Sequence, residues 1–233
     1  MVEKKPEPKE EKKAEPKAEK KPEPAPAPKA EKPAASSSDS AEQKAYSPKF
    51  EAVDLGLSVK WANMNIGAEN PFQGGDFFAW GEVEPKENYS WKTYKHGDGT
   101  DGGCTKYFPI IDDKNKLDKA DDVAHKKMGG KWRMPSKEEF EELKTKCQWQ
   151  WLSSTGRNGY IVKGPNGNSI FLPAAGFRDG TSLSIEGKYG YYWSSALKAS
   201  SPAYALGLDF TSSSVYVDYY YRYYGYCVRP VAD

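Results

Sequence analysis

The stretch that decides the fold is Tyr204–Tyr221, which reads YALGLDFTSSSVYVDYYY. Apolar residues alternate along it with small or polar ones, which is the two-residue period of a β-strand with one buried face. We expect the apolar side chains to point inward, namely Ala205, Leu208, Phe210, Val215, Val217 and, further on, Val228. The interleaved side chains are expected to point outward, namely Gly207, Asp209, Thr211, Tyr216 and Asp218.

More strands are predicted upstream of this stretch. From Gly159 onward, two apolar runs at 160–162 and 169–172 flank Gly164-Pro165-Asn166-Gly167, a sequence typical of a hairpin turn. Near the start of the domain, residues 50–62 contain two short apolar runs, and a passage rich in Gly and aromatic residues follows. We expect short strands and turns there as well.

Two helices interrupt the predicted strands. Apolar spacing fits a short helix between Leu117 and Met128, which Gly129-Gly130 would end. A second helix begins after Ser136, because Ser136 and Glu139 have the spacing of a capping box. Its buried face would carry Phe140, Leu143 and Cys147. Strands wrapped around two helices predict the α+β class.

The first 48 residues have a different composition, dominated by Lys, Glu, Pro, Ala and Ser. Such a segment cannot bury enough apolar surface to offset the entropy of ordering it, so we expect a disordered arm over 1–48 and one domain over 49–233. Repeated Pro steps favour polyproline II, so the arm could be a stalk that lifts the domain off a surface. A solubilising tail is the alternative.

Charge and hydropathy restrict the partners and the compartment. Of 34 Lys and Arg and 33 Asp and Glu, the arm holds 11 and 10, so the domain carries 23 of each. A neutral domain argues against nucleic acid as a partner, because binding to phosphates normally needs a basic face. No run of 18 apolar residues predicts a membrane span, and the N terminus lacks the apolar region of a signal peptide. The chain is expected either at the cell surface or outside the cell, including as a lipoprotein whose leader has been removed, or in the cytoplasm.

Catalytic and metal-binding patterns are scarce. Three cysteines, Cys104, Cys147 and Cys227, cannot all pair within one chain, and none has the spacing of a metal site. Free thiols are the favoured prediction, and one disulfide is the alternative. His96 and His125 lie in a Gly- and Asp-rich loop and on a Lys-flanked helix, where we expect solvated side chains.

The loop at 96–102 carries Asp98 and Asp101 among glycines, and carboxylates in such a loop can supply oxygen ligands to calcium. Because it lacks the spacing of a calcium-binding EF-hand, a flexible turn is the favoured interpretation. We therefore predict no metal, no cofactor and no catalytic residue.

Several ordered motifs resemble a known family. They are WRMPS at 132–136, LPAAGFR at 172–178, GYYWSS at 190–195, VRPV at 228–231 and, upstream, VDLGL at 53–57 and FAWGE at 78–82. With these motifs the chain is similar to Bacteroidales-type proteins of the Fibrobacter succinogenes major paralogous domain type. The resemblance covers the domain and none of the arm, and it implies a C-type lectin-like fold for the α+β domain.

Two more distant resemblances imply competing functions. The layout resembles the variable proteins that diversity-generating retroelements diversify, which implies a fixed frame and a variable binding region at 190–231. It also resembles the sulfatase-modifying enzymes, whose chemistry uses a closely spaced cysteine pair, whereas Cys147 lies 80 residues before Cys227. The frame implied by the first resemblance is Trp193, Ala205, Leu208, Phe210, Val215, Arg222, Gly225, Val228 and Arg229.

Tyrosine is concentrated in this same region. Eleven of the 16 tyrosines lie between Tyr189 and Tyr226. Consecutive residues of a strand point to opposite faces, so a dense run must expose several rings. Tyrosine offers a large rigid face and a hydroxyl at low entropic cost, which is why Tyr and Ser dominate adaptable binding surfaces. The predicted ligand-binding residues are Asp209, Thr211, Ser213, Ser214, Tyr216, Asp218, Tyr219, Tyr220, Tyr221, Tyr223 and Tyr224.

These patterns predict a non-catalytic receptor or adhesin that binds a protein or glycan ligand on another cell or particle. An inert sheet edge and a structural module of a surface appendage or virion are the alternatives. Arg222 stays open at this point, because the resemblance places it in the frame while its tyrosine neighbours suggest a ligand contact.

Overall fold

Most of the regular secondary structure in the described residues is short antiparallel β-strand. The structure is a computed structural model that describes residues 49–107, 112–154, 156 and 158–233. Within these residues lie twelve strands in four small sheets, two α-helices and a 3-10 turn at Trp91–Thr93. The predicted arm, residues 1–48, lies outside the described residues.

The first sheet brings the beginning and the end of the described chain together, in the strand order β1-β2-β12-β3. Trp61 lies opposite Val231, and both side chains are fully buried. The short strands predicted between residues 50 and 62 are therefore confirmed. The strands are β1 Ala52–Val53, β2 Lys60–Ala62, β3 Trp132–Arg133 and β12 Val231–Ala232.

Two further sheets follow in the middle of the chain. The predicted hairpin is confirmed, since Ile161 pairs with Phe171 and the Gly164 amide donates to the Asn168 carbonyl at 2.9 Å. Gly167 adopts a φ of 92°, which glycine reaches without strain. This three-stranded sheet contains β4 Gln148–Leu152, β5 Gly159–Lys163 and β6 Ser169–Pro173, and a two-stranded sheet contains β7 Phe177–Asp179 and β8 Ser182–Ser184.

The last sheet has the order β11-β10-β9 and follows from the alternating stretch. Its strands are β9 Gly190–Leu197, β10 Tyr204–Phe210 and β11 Val215–Tyr221. The outward prediction is confirmed for Tyr216 and Asp218, which are exposed. It is wrong for Gly207 and Asp209, because β10 is the central strand and is buried on both faces. Ala205 lies on the same face as these two residues, so it is buried on the face opposite Leu208.

Both predicted helices form, but the first is shorter than expected. The helix α1, Val123–Met128, begins where the Asp122 carboxylate accepts the His125 amide at 3.0 Å, and it ends at Gly129. Leu117 is not helical, because its amide donates to the Ser195 carbonyl at 3.0 Å along the edge of β9. A long-range backbone hydrogen bond thus keeps Leu117 out of the helix to which the apolar spacing alone assigns it.

The helix α2, Lys137–Lys146, has the predicted capping box. The Ser136 amide donates to the Glu139 carboxylate at 2.7 Å, and the Glu139 amide donates to the Ser136 hydroxyl at 3.2 Å. Phe140 and Leu143 are buried on the face that packs against β9, β10 and β11, while Cys147 is half-buried at the end of the helix.

The predicted α+β class with a C-type lectin-like fold is wrong. The structure is mostly β, with 35% strand and 11% helix in four small antiparallel sheets. The reason is visible in α1 and α2, which have only 6 and 10 residues and contact different sheets, α1 at β3 and α2 at β9, β10 and β11. Among the described residues, no helix is long and apolar enough to cross a membrane.

Candidate binding surface

The face of the β9–β11 sheet that lies opposite α2, here called the outer face, carries polar and aromatic side chains. The register places Asp209 of β10 between Tyr191 of β9 and Tyr216 of β11. The next row along the strands contains Trp193, Gly207 and Asp218. The face therefore combines carboxylates with aromatic rings, and a glycine lies between them.

Tyr220 crosses this face to reach Asp209. Its hydroxyl donates to Asp209 Oδ1 at 2.6 Å. The ring lies over Gly207, where a Cβ atom would be 3.5 Å from Tyr220 Cδ2 and only 2.9 Å from the Tyr192 carbonyl oxygen. A side chain at position 207 would therefore disturb both the ring and the strand beneath it.

The contact between Tyr220 and Asp209 changes the acid–base behaviour of both groups. Burial raises the pKa of Asp209, and the nearby Asp218 adds to the rise, while the Tyr220 hydroxyl acts against it. Burial and the hydrogen bond to the carboxylate both raise the pKa of Tyr220. Burial, with a contribution from Asp209, also raises the pKa of Tyr191 to about 12. These phenols are therefore neutral hydrogen-bond donors at physiological pH.

The segment after β11 is fixed to the rest of the molecule by backbone hydrogen bonds. Gly225 exchanges two of them with Arg178, at 2.9 and 3.0 Å, and Tyr226 exchanges two with Phe78 at the same distances. A Cβ atom at Gly225 would lie 2.6 Å from the Tyr89 ring, so only glycine allows this close approach. The tyrosines of the segment consequently hold defined positions.

Arg222 belongs to the buried frame and makes no contact with solvent. Its side chain is 0% exposed, and its guanidinium lies 4.8 Å from the Trp80 ring and 5.1 Å from the Tyr94 ring. It donates to the Tyr94 hydroxyl at 2.8 Å and to the carbonyls of Pro202 and Lys106 at 3.0 Å. Carbonyl dipoles and ring faces thus compensate the buried charge and tie Arg222 to the 94–107 loop.

Seven half-buried tyrosines form one connected array, which we call the tyrosine surface. Tyr189 stacks on Tyr191 at 6.0 Å, and Tyr191 meets Tyr220 edge to face at 5.6 Å. The buried ring of Tyr226 links Tyr191, at 4.8 Å, to Tyr224, at 6.1 Å. The members of the tyrosine surface are Tyr189, Tyr191, Tyr204, Tyr220, Tyr221, Tyr223 and Tyr224.

Four of the predicted ligand-binding residues belong to this surface, namely Tyr220, Tyr221, Tyr223 and Tyr224. The exposed Tyr216 and Asp218 flank it on the outer face, and Tyr216 is 56% exposed. Asp209 lies in the same region but is only 7% exposed, so it would affect ligand binding by positioning Tyr220, to which it is hydrogen-bonded.

The remaining predicted residues lie elsewhere. Tyr219 points to the α2 side of the sheet, where the ammonium of Lys198 lies 4.9 Å from its ring. Thr211, Ser213 and Ser214 form the turn between β10 and β11 and hydrogen-bond to one another. Strands of seven residues span about 20 Å, so this turn is remote from the Tyr204–Tyr221 end of the hairpin.

Three members of the surface are absent from the predicted set, namely Tyr189, Tyr191 and Tyr204. A signal for Tyr191 exists in the sequence, since it alternates with Trp193 along β9. Tyr204 lies directly opposite Tyr221 and stacks on it at 4.6 Å, a pairing that only the register of the hairpin reveals.

The frame implied by the retroelement resemblance is an interior set in this structure. Eight of its nine members are buried, including Arg222 and Arg229, and Val215 is half-buried. Whether the interleaved positions vary stays a prediction.

The cysteines and histidines offer little reactive chemistry at this surface. All three cysteines are unpaired in the structure. Cys227 is 0% exposed, and burial raises the pKa of its thiol to about 12. The prediction of a solvated His96 is wrong, because the ring is 5% exposed and its Nε2 lies 2.9 Å from the Gly81 carbonyl oxygen. His125 is half-buried, with Nδ1 3.3 Å from the Trp132 carbonyl oxygen.

The loop with the two acidic residues forms a turn around Asp98. Its Oδ1 accepts the Thr100 amide at 2.9 Å and the Thr100 hydroxyl at 2.6 Å, and these hydrogen bonds lower the pKa of Asp98. In the described ranges, no group of three or more His, Cys, Asp or Glu side chains is arranged to hold a metal ion.

Comparison with known proteins gives one family match. A family model described as a domain of unknown function (DUF8237) matches residues 149–231, which include the whole tyrosine surface. No curated protein matches the chain, and no solved structure does. The match shows similarity over this part of the chain but assigns no activity, so the family resemblances inferred from sequence stay predictions.

Proposed function

We propose that this protein is a non-catalytic receptor whose tyrosine surface binds a macromolecular ligand, a protein or a glycan. The observation that carries the proposal is the connected array of seven half-buried rings, each of which leaves part of its surface open. Part of each ring supports the fold, since Tyr191, Tyr220 and Tyr224 pack on a second buried cluster that contains Trp193, Ala205 and Tyr226, and the part that stays open is what a ligand can contact.

The geometry of the rings favours recognition. Each ring contacts other rings, so few side-chain rotamers remain to be lost when a ligand binds. Fixed phenol rings can pack into pockets of a protein or stack on sugar rings, and their neutral hydroxyls donate hydrogen bonds. The exposed Tyr216 and Asp218 extend the surface with a free ring and a carboxylate.

The same proposal includes that the tyrosine surface does not catalyse a reaction. The thiol of Cys227 is buried in the core cluster on the α2 side of the sheet and has a raised pKa, so it is poorly suited to act as a nucleophile. The carboxylate next to the open rings, Asp209, is engaged by Tyr220. Display at the cell surface, with the arm as a stalk, is the setting in which such a receptor would work.

The test compares wild type with a variant that removes two rings and keeps the fold. In Tyr216→Ser/Tyr223→Ser, one ring is exposed and the other half-buried, so the structure should survive. Leu183→Ser is the matched control, since Leu183 is 38% exposed on β8 and lies outside the surface. A glycan array and a pull-down with sugar competition separate the two ligand classes.

We expect a ligand whose affinity falls at least about ten-fold in the double variant and is unchanged in the control. Retention of a protein that survives sugar competition would identify a protein ligand. Binding that the double variant leaves intact would contradict the proposal. Self-association that the double variant abolishes would instead favour a structural module.

A further inference from the structure

A cavity of about 450 Å³ opens between α1, β3 and the segment that precedes α1. The edge of β9 closes one side, because Ser195 accepts the Leu117 amide at 3.0 Å and donates its own amide to the Pro135 carbonyl at 2.8 Å. None of the residues of the tyrosine surface lines this cavity. Its volume lies in the range of small-molecule sites.

The carboxylates of the cavity already have partners. Asp122 accepts backbone N–H groups at 2.9 to 3.1 Å. Glu139 receives both terminal nitrogens of Arg133, at 2.9 and 2.6 Å, and Asp233 receives one of them at 2.6 Å. Each of the three carboxylates that line the cavity therefore has a hydrogen-bond donor within the protein.

The lysines of the cavity, in contrast, are not paired with carboxylates in the described part of the chain. Lys116, Lys119 and Lys131 all line it and are exposed at its rim. None of the three forms an ion pair with any residue in the part of the chain that the structure describes. With Arg133 the lining carries four cationic side chains against the three carboxylates Asp122, Glu139 and Asp233, so the excess positive charge lies with the unpaired ammonium groups at the rim, which attract anions.

The walls of the cavity are partly aromatic and apolar. Trp132 and His125 are half-buried in the wall, and the contact of His125 Nδ1 with the Trp132 carbonyl oxygen fixes the imidazole. Leu117 and Met134 are buried behind them. A bare inorganic anion would leave this surface unused, whereas a ligand with a carbon skeleton would cover it.

We propose that this cavity binds a sugar that carries a carboxylate or sulfate group. The rim lysines hold the anionic group, and the wall around Trp132 receives the sugar ring. The site is separate from the tyrosine surface, so a receptor with both would recognise an acidic glycan or an acidic glycosylated partner at two points.

Calorimetric titration of the full chain tests the proposal, with glucuronic acid, glucose 6-sulfate, glucose and inorganic sulfate as probes. The variant is Lys119→Glu/Lys131→Glu. The control is Lys163→Glu/Lys188→Glu, which changes the net charge equally at exposed lysines outside the cavity. Thermal melting establishes that both variants are folded.

We expect the two acidic sugars to bind wild type and the control alike, and the variant at least about ten-fold more weakly, about 1.4 kcal/mol. Raising the salt concentration should weaken wild-type binding. Absence of binding at millimolar acidic sugar, equal binding of glucose, or equal binding of inorganic sulfate would overturn the proposal. The variant Tyr216→Ser/Tyr223→Ser should bind these sugars normally, which separates this proposal from the one on the tyrosine surface.

Discussion

Strand β10 is buried on both faces of its sheet, but the two faces are built differently. Toward α2 it carries Leu206, Leu208 and Phe210, large side chains that are at most 1% exposed. Toward the outer face it carries Ala205 and Gly207, and these small residues leave room for rings that come from neighbouring segments. On the α2 side, the side chains of β10 themselves fill the space next to the strand. On the outer side, aromatic side chains from neighbouring segments fill the space that the small residues of β10 leave.

The difference shows how a stable domain can carry a binding surface. The apolar face gains its stability from close packing, so its side chains cannot be changed without cost. On the outer side, the segment that carries Tyr223 and Tyr224 is fixed by backbone hydrogen bonds at Gly225 and Tyr226, and the buried Arg222 within it donates to the Pro202 and Lys106 carbonyls. Exposed positions such as Tyr216 can therefore change while the support beneath them stays constant.

The largest expected effect on stability comes from a substitution on the apolar face. Leu208→Ala should lower the free energy of unfolding by roughly 2–5 kcal/mol, because Leu208 is 0% exposed and its loss leaves a cavity. Tyr216→Ala on the outer face should change it by less than about 0.5 kcal/mol. Urea unfolding of both variants measures the two values. Equal losses would show that the faces do not differ in this way.

The sequence predicts those features that depend on neighbours in the chain. The hairpin at 164–167 and the capping box of Ser136 and Glu139 are confirmed, because turn residues and helix caps act over three or four positions. The start of α1 could not be predicted in the same way. Leu117 has a helical pattern, but its amide is taken by a carbonyl of β9, a partner that is 78 residues away in sequence.

The candidate surface was predictable in composition and only partly in position. The dense run from Tyr219 to Tyr224 predicts several exposed rings by alternation, but all five of its tyrosines are half-buried because they pack on one another and on buried clusters. It does not reveal that Tyr219 faces α2 or that Asp209 is covered by Tyr220. It also leaves Arg222 undecided, since its burial depends on rings that precede it by more than 100 residues.

A second test concerns the support beneath the tyrosine surface. Arg222→Lys replaces a guanidinium that serves the Tyr94 hydroxyl and at least two carbonyls with a single ammonium. Two buried acceptors would lose their donor and the ring contacts would weaken, so we expect a loss of about 2 kcal/mol in unfolding free energy. Urea unfolding measures it.

The same variant sharpens the comparison of the two faces through binding. If Arg222 positions the rings, Arg222→Lys should weaken ligand binding at the tyrosine surface even at temperatures where the protein is fully folded. Leu208→Ala serves as the control, since it should lower stability more and, in the folded population, bind as wild type does. Binding that is lost in both variants to the same degree would mean that the two faces are not independent.

The smallest expected effect is the pH dependence that Asp209, on the outer face, adds to the free energy of unfolding. Burial raises the pKa of Asp209 above its ordinary value of 3.8, so the folded protein keeps this proton to a higher pH than the unfolded chain does. The stability that comes from the protonated carboxyl is fully present below pH 3.8 and is lost as pH rises through the raised pKa of the folded state. Asp209→Asn cannot ionise and can still accept the Tyr220 hydroxyl.

The unfolding free energy of Asp209→Asn minus that of wild type should therefore increase as pH rises from acidic to neutral. The difference is the quantity to measure, by urea unfolding over a pH series, since groups common to both proteins cancel in it. One such group is Asp118, whose pKa the hydrogen bond from Lys114 lowers, so it tilts the individual curves in the opposite direction. A difference that stays flat would mean that Asp209 ionises on the outer face as easily as in water, and that Tyr220 covers it less completely than the 2.6 Å contact implies.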